Sequence, residues 1–193
     1  MKIGIVLGTR PEIIKMSPII SLCEENDLDY YVIHTGQHYS YNMDEIFFAQ
    51  LRLPNPKYQL GIGSGSHGFQ TGRMLEKIEE ILVSDPCDVV LVQGDTNTVL
   101  AGSLAASKLH IKLGHVEAGL RSFDPTMPEE INRRVSDHIS DYLFAPTEVS
   151  RGYLLKEGIS DELVYVVGNT VVDALKELGG VVQKQAILID KVV

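Results

Sequence analysis

Short β-rich runs alternate with helical patterns along the chain, and this alternation limits the available folds more than any other feature. The runs are "KIGIVLG" (2–8), "YYVIHTG" (30–36), "KYQLGI" (57–62), "DVVLVQG" (88–94), "IKLGHVEA" (111–118), "DYLFAPT" (141–147) and "LVYVVGN" (163–169). Each is apolar or β-branched and bounded by Gly, Pro or Asp. Several are nearly continuous in apolar residues, as strands buried on both faces should be. Helical spacing lies between them: Ile46, Phe47 and Leu51; then Met74, Leu75, Ile78, Ile81 and Leu82; then "NTVLAGSLAASKL"; and last "TVVDALKEL" (170–178). Repeated strand–helix–strand units with short links predict an α/β fold: a Rossmann-like parallel sheet with helices on both faces.

Length and charge narrow the class of partner. The chain has 193 residues, enough to bury a core without staples, and 44% of them are hydrophobic. Net charge is −9, from 17 Lys+Arg against 26 Asp+Glu. Such a surface repels phosphate backbones and acidic membranes, so no nucleic acid and no membrane partner is expected. An anionic substrate would need a local basic pocket. The two cysteines, Cys23 and Cys87, lack metal spacing and read as idle thiols in a reducing compartment. No apolar run reaches about 18 residues, and "MKIGIVLGTRPE" is interrupted too soon for a signal peptide. A cytoplasmic location is expected.

On a parallel sheet, ligands sit beyond the carboxyl ends of the strands. Gly8, Thr9 and Arg10 follow the first predicted strand, and His34, Gln37 and His38 end or follow the second. Gly94, Asp95 and Thr96 follow the fourth, and Glu117, Ala118 and Gly119 end the fifth. Residues distant in sequence should therefore face one crevice. "SGSHG" (64–68) is expected as a flexible loop on the same edge.

Several of these residues have two readings. Thr9 and Glu12 fit a capping box, and Pro11 suits a first helical turn. That leaves Arg10 and Lys15, which would reach over a helix N-terminus and could seat a phosphate there. The opening stretch does not carry the dinucleotide pattern GxGxxG. Asp95 suits a helix cap, but it could also converge with Glu117, and neighbouring carboxylates push one pKa upward, which suits proton transfer. In "MPEEINRR", the acids complement a helix dipole, and Glu129–Arg133 and Glu130–Arg134 are i,i+4 pairs. His34 and His38 lack a third local ligand, so no metal site is expected. His115, inside a strand, is expected to be a satisfied core histidine.

Six motifs occur together and in order: "GTRPEIIKMSP", "HTGQHY", "QGDTNTVLAG", "GHVEAGLRS", "PEEINRR" and "GNTVVDAL". With them the chain, from Met1 to about Leu178, resembles the N-terminal half of a non-hydrolysing UDP-N-acetylglucosamine 2-epimerase. The resemblance implies half of a GT-B-like two-domain fold, with a Rossmann-like domain at 1–178, a tail or linker stub at 179–193, and a C-terminal nucleotide-binding domain that is absent. It implies interconversion of UDP-GlcNAc and UDP-ManNAc, for polysaccharide precursors, by elimination of UDP to 2-acetamidoglucal and re-addition. The catalytic acids fall on Asp95, Glu117 and Glu129. Substrate contacts fall on Arg10, Lys15 and Arg133, and a possible regulatory pair falls on Gln37 and His38. No cofactor such as NAD is implied, and the full-length family member is expected to be a homodimer. Half a site implies an inactive isolated chain. The alternatives are a non-catalytic sugar-nucleotide-binding or regulatory module that pairs with a separate C-terminal half, and a glycosyltransferase-type donor domain.

Overall fold

The structure is a computed structural model that describes residues 1–36 and 41–176, with 41–45 given by backbone alone. Gln37, His38 and the 179–193 tail lie outside the described residues. The seven predicted strands are present as β1 (Lys2–Leu7), β2 (Asp29–His34), β3 (Tyr58–Gln59), β4 (Val89–Gln93), β5 (Lys112–Val116), β6 (Tyr142–Ala145) and β7 (Val164–Val166). They form one parallel sheet in the order β3-β2-β1-β4-β5-β6-β7. The third is shorter than its apolar run suggests. Only Tyr58 and Gln59 pair with β2, and the chain beyond turns through Gly61 and Gly63, both at positive φ.

The helices are α1 (Arg10–Glu25), α2 (Tyr41–Gln50), α3 (His67–Ser84), α4 (Asn97–Lys108), α5 (Pro128–Ile139) and α6 (Glu148–Lys156). Residues 170–176 are also helical. Two differ from expectation. The second half of "SGSHG" begins α3, whose N-cap is Ser66 accepting from the Phe69 N–H. Helix α6 follows the sixth strand, where no apolar periodicity announces it. It starts at a Thr147 cap and buries only Ser150 and Leu154.

Strand alternation builds a core on each face. In β1, Val6 joins Val90, Val92, Met74, Ile78, Val99 and Ala105 on the α3–α4 side. Ile3, Ile5 and Leu7 join Ile13, Met16, Ile20, Val32 and Phe48 on the α1–α2 side. Helices α1 and α4 therefore leave β1 and β4 toward opposite faces. The strand order reverses between those two strands, and that opens a crevice at their carboxyl ends.

Candidate functional site at the strand ends

The first turn is built around a close approach. A Cβ on Gly8 would lie 2.1 Å from Thr35 Oγ1 and 2.3 Å from Thr98 Oγ1, so only glycine fits between the ends of β2 and α4. Those two hydroxyls bond each other at 2.8 Å. Glu12 then folds back into its own helix start. It accepts from the Gly8 N–H at 2.8 Å, the Thr9 N–H at 2.7 Å and the Thr96 hydroxyl at 2.7 Å. The acid half of the predicted capping box thus also ties α1 to the N-cap of α4. Burial raises the Glu12 pKa, and these donors pull against that shift without cancelling it.

Glu12 takes the Gly8 and Thr9 amides that a phosphate would use. Lys15 turns elsewhere, to Glu117 at 2.5 Å. Arg10, the first residue of α1, lays its guanidinium 5.7 Å from the Phe47 ring centroid. The Gly8 and Thr9 amides are thus occupied by Glu12, and Lys15 is already paired with a carboxylate.

Glu117 sits just past β5 at φ +70°, a left-handed backbone that costs a non-glycine residue of order 1–3 kcal/mol. Its contacts hold it there: Lys15 and the Gln93 amide on one oxygen, and the Asn169 amide at 2.9 Å on the other. Three strand ends, β4, β5 and β7, and helix α1 thus meet on one carboxylate. Gln93 and Asn169 were not singled out in the sequence. The rule that chemistry gathers after strands, applied to "LVQG" and "VVGN", would have found both.

Asp95 follows β4, next to Glu117 in the sheet order. Its carboxylate pairs with Arg133 of α5, and its carbonyl accepts from Asn132 of the same helix at 2.9 Å. Each of these two acids therefore has its own cation rather than sharing one environment. Arg133 also reaches Glu130 at 3.0 Å.

The adjacent acids of "PEE" take different places. Glu130 is buried and receives the Ser122 N–H and hydroxyl, Arg133 and Arg134, each at 3.0 Å. Burial would raise its pKa, but these donors and cations outweigh it and hold it below the usual range. Glu129 is half-exposed, and its side chain forms no hydrogen bond or ion pair among the described residues. The predicted Glu129–Arg133 pair does not form, because Arg133 is engaged by Asp95 and Glu130. Glu129 lies one helical turn before Arg133, on the same side of α5.

A parallel α/β sheet with acids, amides and cations gathered around its switch point defines a Rossmann-like α/β domain. The UDP-N-acetylglucosamine 2-epimerase family model matches residues 21–191, and the chain belongs to that family. The UDP-N-acetylglucosamine 2-epimerase of Methanocaldococcus jannaschii is 66% identical over 174 residues, covering 90% of this chain and 48% of that protein. A crystal structure of the M. jannaschii UDP-GlcNAc 2-epimerase in complex with UDP-GlcNAc and UDP superposes with a TM-score of 0.90 at 64% identity, over 92% of this chain and 49% of that one. The UDP-2,3-diacetamido-2,3-dideoxy-D-glucuronate 2-epimerase of Pseudomonas aeruginosa is 50% identical over 168 residues, covering 86% of this chain and 48% of that protein. The chain spans about half the length of the curated relatives it matches.

Proposed function

We propose that this chain is the N-terminal half of a non-hydrolysing UDP-N-acetylglucosamine 2-epimerase, with a Rossmann-like domain ending near residue 178. In this scheme Asp95, Glu117 and Glu129 act on the sugar, and Arg10, Lys15 and Arg133 on the diphosphate. One observation carries it: Glu129 has no side-chain partner among the described residues, yet stands on the helix that Asn132 and Arg133 lock onto the Asp95 turn. An acid left unpaired beside a fixed ion-pair cluster is free to exchange a proton with a bound molecule.

Epimerisation at C2 needs a base for the C2 proton and charge stabilisation for a departing UDP. Lys15 and Arg133 are each shared with a carboxylate here, so an arriving diphosphate competes with Glu117 and Asp95 for them. That competition links substrate binding to release of the two acids. The full-length protein would act as a homodimer, with Gln37 and His38 as regulatory contacts.

The test joins this chain to the C-terminal half of the M. jannaschii relative and follows the C2 proton of UDP-GlcNAc by NMR in deuterated water. Exchange with formation of UDP-ManNAc is expected. Asp95→Asn, Glu117→Gln and Glu129→Gln should each slow it by about 100-fold or more. Three variants at the parental rate would remove these acids from the mechanism. The 50% identical P. aeruginosa relative favours a second substrate class, in which the sugar carries an additional carboxylate. The diacetamido-glucuronate nucleotide belongs in the same assay, and the larger kcat/KM identifies the substrate.

A further inference from the structure

His115 lies on β5 with no solvent exposure, and both ring nitrogens are engaged. Nδ1 is 2.7 Å from Asp137 Oδ1, and Nε2 is 2.7 Å from the Gly94 carbonyl oxygen. A carbonyl only accepts, so Nε2 carries a proton. The other Asp137 oxygen receives Arg121 at 2.7 Å and the Gly119 N–H at 3.2 Å, as an ionised carboxylate would. Nδ1 is therefore also a donor, and the ring is an imidazolium.

The charges continue outward. The Arg121 side chain is fully enclosed and grips Glu157 through two nitrogens, at 2.6 and 2.9 Å. The sequence Glu157–Arg121–Asp137–His115 alternates in sign and balances. An apolar core would fill this space at less desolvation cost. What the ionic chain supplies instead is direction, because it ends on two backbone groups. One is the carbonyl of Gly94, the residue before Asp95. The other is the amide of Gly119, two residues after Glu117. Both glycines are at positive φ, +85° and +79°.

We propose that His115 is a positioning residue that, through Asp137 and Gly94, holds the Asp95 turn and the Glu117–Gly119 turn in fixed relation to one another. Its structural part stands independently, whereas its effect on turnover rests on the roles proposed above for Asp95 and Glu117. The ionisable groups facing His115 are Asp137 from α5 and Asp95 after β4, with Arg121 behind Asp137, and β6 presents Leu143 in register. Burial pulls the His115 pKa down, but Asp137, the Gly94 carbonyl and Asp95 outweigh it, and the pKa is raised.

The experiment labels the chain with ¹⁵N and follows the histidine ring nitrogens with the Gly94, Asp95 and Gly119 amides as pH rises. We expect both His115 nitrogens to stay protonated past the ordinary value of about 6.5. The three amides should then move at the same midpoint as the ring. A ring with one proton at neutral pH, or amides indifferent to its titration, overturns the proposal. Asp137→Asn should lower the His115 midpoint while Nε2 still donates to Gly94, and an unchanged midpoint counts against the proposal. In the joined two-domain enzyme, His115→Gln should reduce kcat by roughly 10–100-fold with little change in KM, as misplaced catalytic groups do. Should that variant not fold, the titration of the unsubstituted chain decides alone. An inactive parental enzyme with the expected titration would refute the epimerase assignment and leave the positioning role standing.

Discussion

Glu129 and Glu130 are neighbours of one type at one helix start, and their surroundings separate them completely. Glu130 is 2% exposed and satisfies two backbone-anchored donors and two arginines. The Glu129 side chain satisfies none among the described residues. Glu130→Gln should therefore destabilise the chain by about 3 kcal/mol, since it unpairs buried partners. Glu129→Gln should change stability by less than about 0.5 kcal/mol, as surface changes do. Urea unfolding of the two variants checks this. Equal losses would mean that Glu129 has a structural partner after all. The same contrast explains the strain at Glu117: Lys15, Gln93 and Asn169 hold a carboxylate in a backbone conformation that glycine would adopt without cost.

Helix α1 contains an apparent breaker. Pro18 has no N–H to donate to the Ile14 carbonyl, four residues back. The Ser17 hydroxyl donates to that carbonyl at 2.8 Å, and Ser17 is 1% exposed. The helix runs on to Glu25 and seats Met16 and Ile20 in the core. Ser17→Ala should leave the Ile14 carbonyl without this donor and cost about 1–2 kcal/mol. Thermal unfolding measures it, and an unchanged midpoint would show that the carbonyl finds another donor. Helix α4 shows the opposite economy. Gly102 lets it approach so closely that an added Cβ would sit 3.1 Å from Val92 and 3.2 Å from Val6. That approach brings Thr96 and Thr98 to the first turn, where they meet Glu12 and Thr35.

At the scale of the molecule, the buried ionic chain sets how stability follows pH. Asp137 and Glu157 have lowered pKa values; burial opposes the shift at Asp137, while His115 and Arg121 drive it, and Arg121 leads at Glu157. Their contribution is present above the unfolded values of about 4 and is lost as pH falls through the folded ones. His115 has the opposite sign. Its contribution is full below about 6.5 and is lost as pH rises through its raised folded pKa. Glu12, with a raised carboxyl pKa, also costs stability as pH rises above its unfolded value of about 4.3. Stability should thus peak on the acid side of neutrality, and Asp137→Asn should flatten both limbs. Urea midpoints measured from pH 3 to 9 test it; a peak above pH 8 would contradict the assignment. The chain on its own should unfold cooperatively yet leave the C2 proton of UDP-GlcNAc unexchanged in deuterated water. Remote binding energy and exclusion of water are both needed to drive such chemistry. Sustained exchange by the chain alone would overturn the half-site account.

The sheet was legible in the sequence because each buried strand is a local apolar run with local punctuation, and all seven occur where such runs lie. The gathering of Asp95, Glu117 and the first turn at strand ends was legible for the same reason: parallel topology carries every strand end to one edge. Helix α6 was not legible, since it buries only two residues and has no stripe to read. Local partnerships such as the Glu130–Arg134 pair were legible, but those between remote segments were not. Lys15 meets Glu117 across 102 residues, and Arg133 meets Asp95 across 38. His115 was expected as a satisfied core residue, and it is satisfied, but its charge depends on Asp137 arriving from another helix. The sequence by itself determined the order of the strands and that Asp95 and Glu117 lie at strand ends, because both follow from local pattern. Only the tertiary structure decided which acids are neutralised and which has no side-chain partner among the described residues, because pairing depends on distances that folding creates between segments remote in the chain.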